Sequence, residues 1–237
     1  MADAEVNNGL RIGGCRDSDT ETYGGSMAWL IAAVYDRVMR AAEVACLIQW
    51  RRELLHDVVG VVLEVGAGTG ATLPLYPETI TRLVLAEPDP HMRRRLERKR
   101  GITGAAHVEL SEASLDALPM PDASFDAVVS SLVLCSVRDA PGALTEIFRV
   151  LKPGGRLLFL EHVAAHSHSA RFAWQRRLEP FWKRVAGNCH LTRDTEGAIR
   201  TAGFQIERIE RERMRWAIPF LRPCIRGAAR KPALAVS

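Results

Sequence analysis

Apolar positions along this chain change period near residue 58. Between Ser26 and Asp57 they recur at spacings of three and four: Met27, Leu30, Ile31, Val34, Val38 and Met39, then Val44, Leu47, Ile48, Leu54 and Leu55. That period predicts helices, with Ser26 as a cap. From Val61 onward, short apolar runs of strand length alternate with amphipathic stretches. Strands are expected at residues 61–65, 83–86, 106–110, 125–131 and 156–160. Helices are expected at 69–76, stopped by Pro77, from the Asp89-Pro90 cap, and at 140–151 after Asp139. Such alternation predicts an α/β chain built on a parallel sheet.

Composition narrows the class without naming a chemistry. The chain has 237 residues, 47% hydrophobic and 25% charged, enough for one large α/β domain. No run of about 18 apolar residues occurs, so no spanning helix is expected. Residues 1–22 are rich in Gly, Asn and Asp, lack the basic and apolar regions of a signal peptide, and are predicted to be disordered. Five scattered cysteines without C-x-x-C spacing suggest reduced thiols in a cytoplasm and no metal site. A net charge of +4 does not by itself argue for nucleic acid. The basic run from Arg93 to Arg100 reads as a solvated helix face.

The chemistry concentrates where the first strand ends. Val61 to Gly70 reads VVLEVGAGTG, so an apolar strand carrying one acid, Glu64, runs into Gly66, Gly68 and Gly70. Glycines at this spacing let a ligand approach the backbone, and a following helix N-terminus would offer free N–H groups. The spacing is G-x-G-x-G, not the G-x-G-x-x-G of dinucleotide-binding turns. The second strand ends on Glu87, an acid placed to accept hydrogen bonds from both hydroxyls of a ribose. His162 follows the fifth strand, where a base active near pH 7 could sit. Phe172, Trp174, Phe181 and Trp182 alternate with cations, reading as a lid over an apolar substrate, with a membrane-surface helix as the other reading.

These motifs in order resemble the class I S-adenosylmethionine (SAM) dependent methyltransferases: the glycine turn, Glu87, LPMPDASFD at residues 118–126 and LKPGG at 151–155. The resemblance implies a Rossmann-like, seven-stranded, mostly parallel sheet closed by a C-terminal antiparallel hairpin at 204–210 and 223–229. The arginines of that hairpin, offset by glutamates, read as a solvated edge. It implies helices over the active site at 23–58 and a SAM-binding domain at 59–237. It also implies SAM contacts from Glu64, Gly66, Ala67, Gly68, Gly70, Glu87, Pro88, Met92, Ser114, Leu115, Ser131 and Leu132, with Ser114 standing where the family usually has Asp. No metal is implied. Tyr35, in a Tyr-Asp pair, is similar to a tyrosine near the cofactor in the quinone-methylating branch, and with His162 completes the catalytic candidates. LVLCSV at 132–137, EHV at 161–163, Trp174-Gln175, Glu179-Pro180, Cys189 before Leu191-Thr192-Arg193, and an ending with Trp216, Pro223, Gly227 and Lys231 are similar to the methyltransferase-like 7 family of alkyl-thiol S-methyltransferases. Members carry an apolar N-terminal anchor that this chain lacks, which implies a soluble protein, and Asp where Glu87 stands. The expectation is methyl transfer to a small apolar thiol, by a monomer or homodimer without nucleic acid or membrane span, although peripheral membrane contact stays open. A quinol, phenol or amino-lipid acceptor, or a SAM-binding protein that does not methylate, stands as the alternative.

Overall fold

The computed structural model describes residues 40–233. Expectations for the N-terminal tail, the first part of the helical stretch and Tyr35 lie outside the described residues. From residue 40 the chain is helical, passing through a π turn at Glu43–Leu47 into α1 (Ile48–Leu55). The apolar period there serves burial: Cys46, Leu47, Leu54 and Leu55 pack into the core on one face of the sheet.

Seven strands form that sheet: β1 (Gly60–Val65), β2 (Ile80–Ala86), β3 (Val108–Ser111), β4 (Phe125–Ser131), β5 (Leu151–His162), β6 (Gln205–Arg213) and β7 (Pro223–Arg230), in the order β3-β2-β1-β4-β5-β7-β6. The first five run parallel; β7 lies antiparallel between β5 and β6. The strand order reverses between β1 and β4, the switch point where open α/β sheets bind ligands beyond their carboxyl ends. Helices α2 (Pro90–Glu97), α3 (Ala140–Val150), α4 (Ala170–Val185) and α5 (Thr195–Thr201) complete the layers. Asp89 and Asp139 cap their helices as expected, and Ser169 caps α4. Asp89 accepts from the backbone N–H of His91 and Met92, Asp139 from Gly142 and Ser169 from Phe172.

Three expectations are corrected. The helix expected at 69–76 is replaced by turns and a single 3-10 turn, Leu73–Leu75. Pro74 has no N–H for an i−4 bond, and Thr72 and Tyr76 turn their hydroxyls onto Glu64, which fixes the segment by tertiary contacts. The Pro-Gly-Gly expected as a turn before the fifth strand lies inside β5, where the pairing to β4 jumps from Phe125–Leu151 to Ala127–Arg156 and Gly154 takes φ +78°. With this bulge the strand begins at Leu151, five residues before the expected start at Arg156. Strand three begins and ends later than expected, at Val108 and Ser111.

Candidate active site

Alternation along parallel strands puts one polar side chain per strand on the α1 face at the carboxyl edge. Glu64 of β1 lies level with Leu85 and Val129, Ser131 of β4 lies two residues further out, and His162 of β5 is two residues beyond Leu160, the partner of Ser131. Glu87, one residue past β2, completes the row. Glu64, Glu87, Ser131 and His162 therefore come from four adjacent strands, although Glu87 and His162 are 75 positions apart in the chain.

The glycine turn is held by that row. Gly66, Gly68 and Gly70 all have positive φ, at +58°, +58° and +78°. A Cβ at Gly66 would come within 2.6 Å of Val133 Cγ2, and one at Gly70 within 2.8 Å of Leu73 Cδ1. A Cβ at Gly68 would meet nothing nearer than the Gly66 carbonyl oxygen at 3.9 Å, so the space above Gly68 is open. Glu87 accepts from the Gly68 N–H at 2.7 Å and from the Asp89 N–H at 2.9 Å. Burial pushes its carboxyl up, against the pull of those N–H groups. Arg93 secures the same segment by donating to the carbonyls of Glu87 and Pro88. The N–H groups of Ala67 and Gly70 are spent on the Ala86 and Ala67 carbonyls, so the turn, not a helix N-terminus, presents Glu87.

Glu64 is buried, with Thr72 Oγ1 donating at 2.5 Å and the Tyr76 hydroxyl at 2.9 Å. Its carboxylate thereby holds the segment after the glycines. Loss of solvent raises its pKa to about 7 in spite of both donors. The native state thus binds a proton more tightly than the unfolded chain, and stability falls as pH rises from about 4.5 to about 7, by about 3 kcal/mol. Urea unfolding of Glu64→Gln should show a flatter pH dependence than the parent across that window. Equal slopes in the two proteins would remove Glu64 as the cause.

Beside it, Arg51 of α1 is buried, paired with the Glu43 carboxylate and donating from Nε to Ser131 Oγ at 3.0 Å. This bond ties the N-terminal helix to the end of β4. Leu132, the next residue, holds a left-handed φ of +62° while its N–H bonds the Leu160 carbonyl at 2.7 Å.

Beyond β4 the segment 132–137 is fixed from both sides. Glu161, fully buried, accepts from Ser130 Oγ at 2.7 Å and from the N–H groups of Val133 and Cys135 at 3.2 Å each. Arg193 donates to the carbonyls of Leu134 and Val137. Neither role is visible in a linear reading; the signal for Glu161 was an acid inside an apolar strand. His162, also buried, sits with Nε2 3.3 Å from the Phe220 carbonyl oxygen and with Nδ1 buried and unpartnered. A neutral ring donating from Nε2 leaves the Nδ1 lone pair free. The thiol of Cys189 shares this corner with Cys135, His162 and Trp182, and their contacts hold its pKa below the ordinary thiol range, Cys135 first. The two cysteines meet because His190 donates its N–H to the Cys135 carbonyl at 2.8 Å.

Among the remaining expected contacts, Ser114 donates to Asp116 Oδ2 at 3.0 Å, which brings an acid to the position where serine replaced the family's Asp. Leu115 is buried in the core on the opposite face, Pro88 is exposed, Met92 is half-buried, and Ala67 is buried in the turn.

Residues 63–159 match the model of a methyltransferase domain. The chain is 38% identical over 207 residues to the rat thiol S-methyltransferase TMT1B, covering 85% of this chain and 83% of the relative. It is 36% identical over 140 residues to the ubiquinone/menaquinone biosynthesis C-methyltransferase UbiE of Enterobacter sp. (strain 638), covering 55% of each. Among solved structures, the [4+2]-cyclase SpnF shares the fold at TM-score 0.67 with 20% identity, over 89% of this chain and 95% of that one. The residues present fit SAM, because the space over Gly68 opens beside the Glu87 carboxylate while the flanking glycines are closed off by protein. This chain belongs to the thiol S-methyltransferase family of SAM-dependent methyltransferases.

Proposed function

We propose that this methyltransferase transfers its methyl group to the sulfur of a small apolar thiol. The observation that carries the reading is the buried, unpartnered Nδ1 of His162 at the carboxyl end of β5. Kinship to thiol S-methyltransferases over most of the chain supports it. SAM, when bound, supplies an electrophilic methyl group on a sulfonium centre. In this reading Glu87 would receive the ribose hydroxyls, the open space over Gly68 would pass the cofactor close to the backbone between Gly66 and Gly70, and Pro88, Met92 and Ser114 would border the adenine. Glu64 supports the turn from beneath, and Ser131 and Leu132 flank the methionine end. The helical residues from 40 through α1 pack on this face, tied to the end of β4 by the bond from Arg51 to Ser131.

His162 then takes the acceptor's proton on Nδ1 while the Phe220 carbonyl keeps the ring oriented. Alignment supplies most of the acceleration, since holding donor and acceptor in contact is worth roughly 7–11 kcal/mol. A free thiol with pKa near 8.5 is about 3% ionised at pH 7, so a base can gain at most about thirtyfold there. His162→Gln should accordingly lower kcat about ten- to thirtyfold at pH 7 and hardly at all near pH 9.5. A loss of roughly 10²–10⁴ that persists at high pH would indicate an oxygen or carbon acceptor, as in the quinone-methylating relatives. We also place the protein in the cytoplasm, acting as a monomer or homodimer on a small molecule without nucleic acid or metal. No helix among the described residues is long and apolar enough to cross a membrane.

A further inference from the structure

We propose that α4 and the β6–β7 connection form a surface that docks on a phospholipid membrane carrying anionic headgroups. Trp174, Leu178 and Phe181 recur at spacings of four and three along α4, and so share one face. Trp174 is 60% exposed and Phe181 64%. Beside this stripe, Trp174 and Leu178 border one cleft with Pro219 and Phe220, and on the same connection Trp216 projects at 81% exposure, with Ile218 also exposed. Large apolar groups crowded onto one surface need a partner.

The charge around them is of one sign. Across residues 170–184 and 213–222 there are eight Lys and Arg and a single acid, Glu179. That acid is turned inward, accepting from the N–H and hydroxyl of Thr192. Arg171 borders the Trp174 cleft, and Arg213, Arg215 and Arg222 border the one at Trp216. Aromatic rings flanked by cations match the boundary of an anionic bilayer, where rings sit at headgroup depth and each nearby cation adds attraction. A single-stranded nucleic acid would be served by flat stacking platforms. Here aliphatic Leu178 and Ile218 share the patch and the most exposed ring stands on a loop, which suits insertion among acyl chains.

The surface also lies over the acceptor side of the site. Gln175 of α4 donates to the Phe220 carbonyl, which His162 faces, and the rings of Trp182 and Phe220 pack edge to face at 5.4 Å. An apolar acceptor dissolved in the bilayer would meet the site from this side. The docking surface stands whichever acceptor is methylated.

The test is flotation of the full chain with vesicles of phosphatidylcholine alone and of phosphatidylcholine with 30% phosphatidylglycerol, at fixed ionic strength. S-adenosylhomocysteine binding and turnover of a water-soluble thiol are followed in parallel. Retention is expected on the anionic vesicles and little on the neutral ones. The pair Trp174→Ser and Trp216→Ser should reduce it about tenfold, as should Arg177→Glu with Arg215→Glu, with S-adenosylhomocysteine binding unchanged in both. No retention on anionic vesicles, retention indifferent to the tryptophan pair, stronger retention on a polynucleotide, or a dimer that hides these tryptophans would each overturn the proposal. Failure of thiol turnover with retention intact would count against the acceptor and not against the surface.

Discussion

Glu87→Ala is expected to abolish cofactor binding while the sheet remains folded. Two losses combine. The carboxylate no longer receives Gly68 N–H and Asp89 N–H, so the glycine turn loses the strap that holds it at the end of β1. In our reading the ribose also loses both acceptors. Hydrogen bonds to a charged group are worth about 1.5–3 kcal/mol each, so affinity for S-adenosylhomocysteine should fall about 10²–10⁴-fold. Glu87→Gln keeps one acceptor oxygen and should fall by an intermediate amount. Isothermal titration with S-adenosylhomocysteine measures both, with circular dichroism as the control for folding. Parent-like affinity in Glu87→Ala would remove the residue from the site.

The second large effect separates two neighbouring glycines. At Gly68 an added methyl enters open space, so Gly68→Ala meets only the left-handed backbone, a cost of about 1–2 kcal/mol. The same methyl stands where the ligand must approach, so S-adenosylhomocysteine binding should fall at least about a hundredfold by blockage. At Gly66 the methyl would drive into Val133, adding about 1–3 kcal/mol of overpacking to the backbone cost. Thermal unfolding should place Gly68→Ala about 3–6 °C below the parent and Gly66→Ala clearly lower. Only the parent should gain stability on adding S-adenosylhomocysteine. A Gly68→Ala protein stabilised by the ligand as much as the parent would mean that the open space is not the cofactor's.

Much of this was legible wherever local chemistry decides structure. The bounds of β4 at Phe125–Ser131 follow from an apolar run after a polar turn. The Asp89 cap and the position of Glu87 at the end of the second strand could be read from the order of residues alone. Reading failed where tertiary contacts override the local pattern. The segment after the glycines is expected as a helix stopped by Pro77, yet Glu64 draws in Thr72 and Tyr76 and Pro74 cannot continue a helix. Arg51 looks like a solvated position on an amphipathic helix, but it is buried and reaches Ser131, 80 residues away. Cys135 and Cys189 read as isolated thiols, because their segments are joined only in the fold, by bonds from Asn188, His190 and Arg193 to carbonyls of 134–137. Glu161 was visible as part of a motif, while its task of gathering Ser130, Val133 and Cys135 depends on β4 lying beside β5.

The most direct measurement of the central claim is a single turnover with SAM labelled as a CD₃ sulfonium, an excess of enzyme and a small alkyl thiol, read by mass spectrometry. The expected product is one thioether carrying the intact CD₃ group for each S-adenosylhomocysteine formed, and none with the Glu87→Ala protein. S-adenosylhomocysteine binding to the parent with no labelled thioether from any thiol, while a quinol or amine takes the label, would contradict the assignment of sulfur as the acceptor.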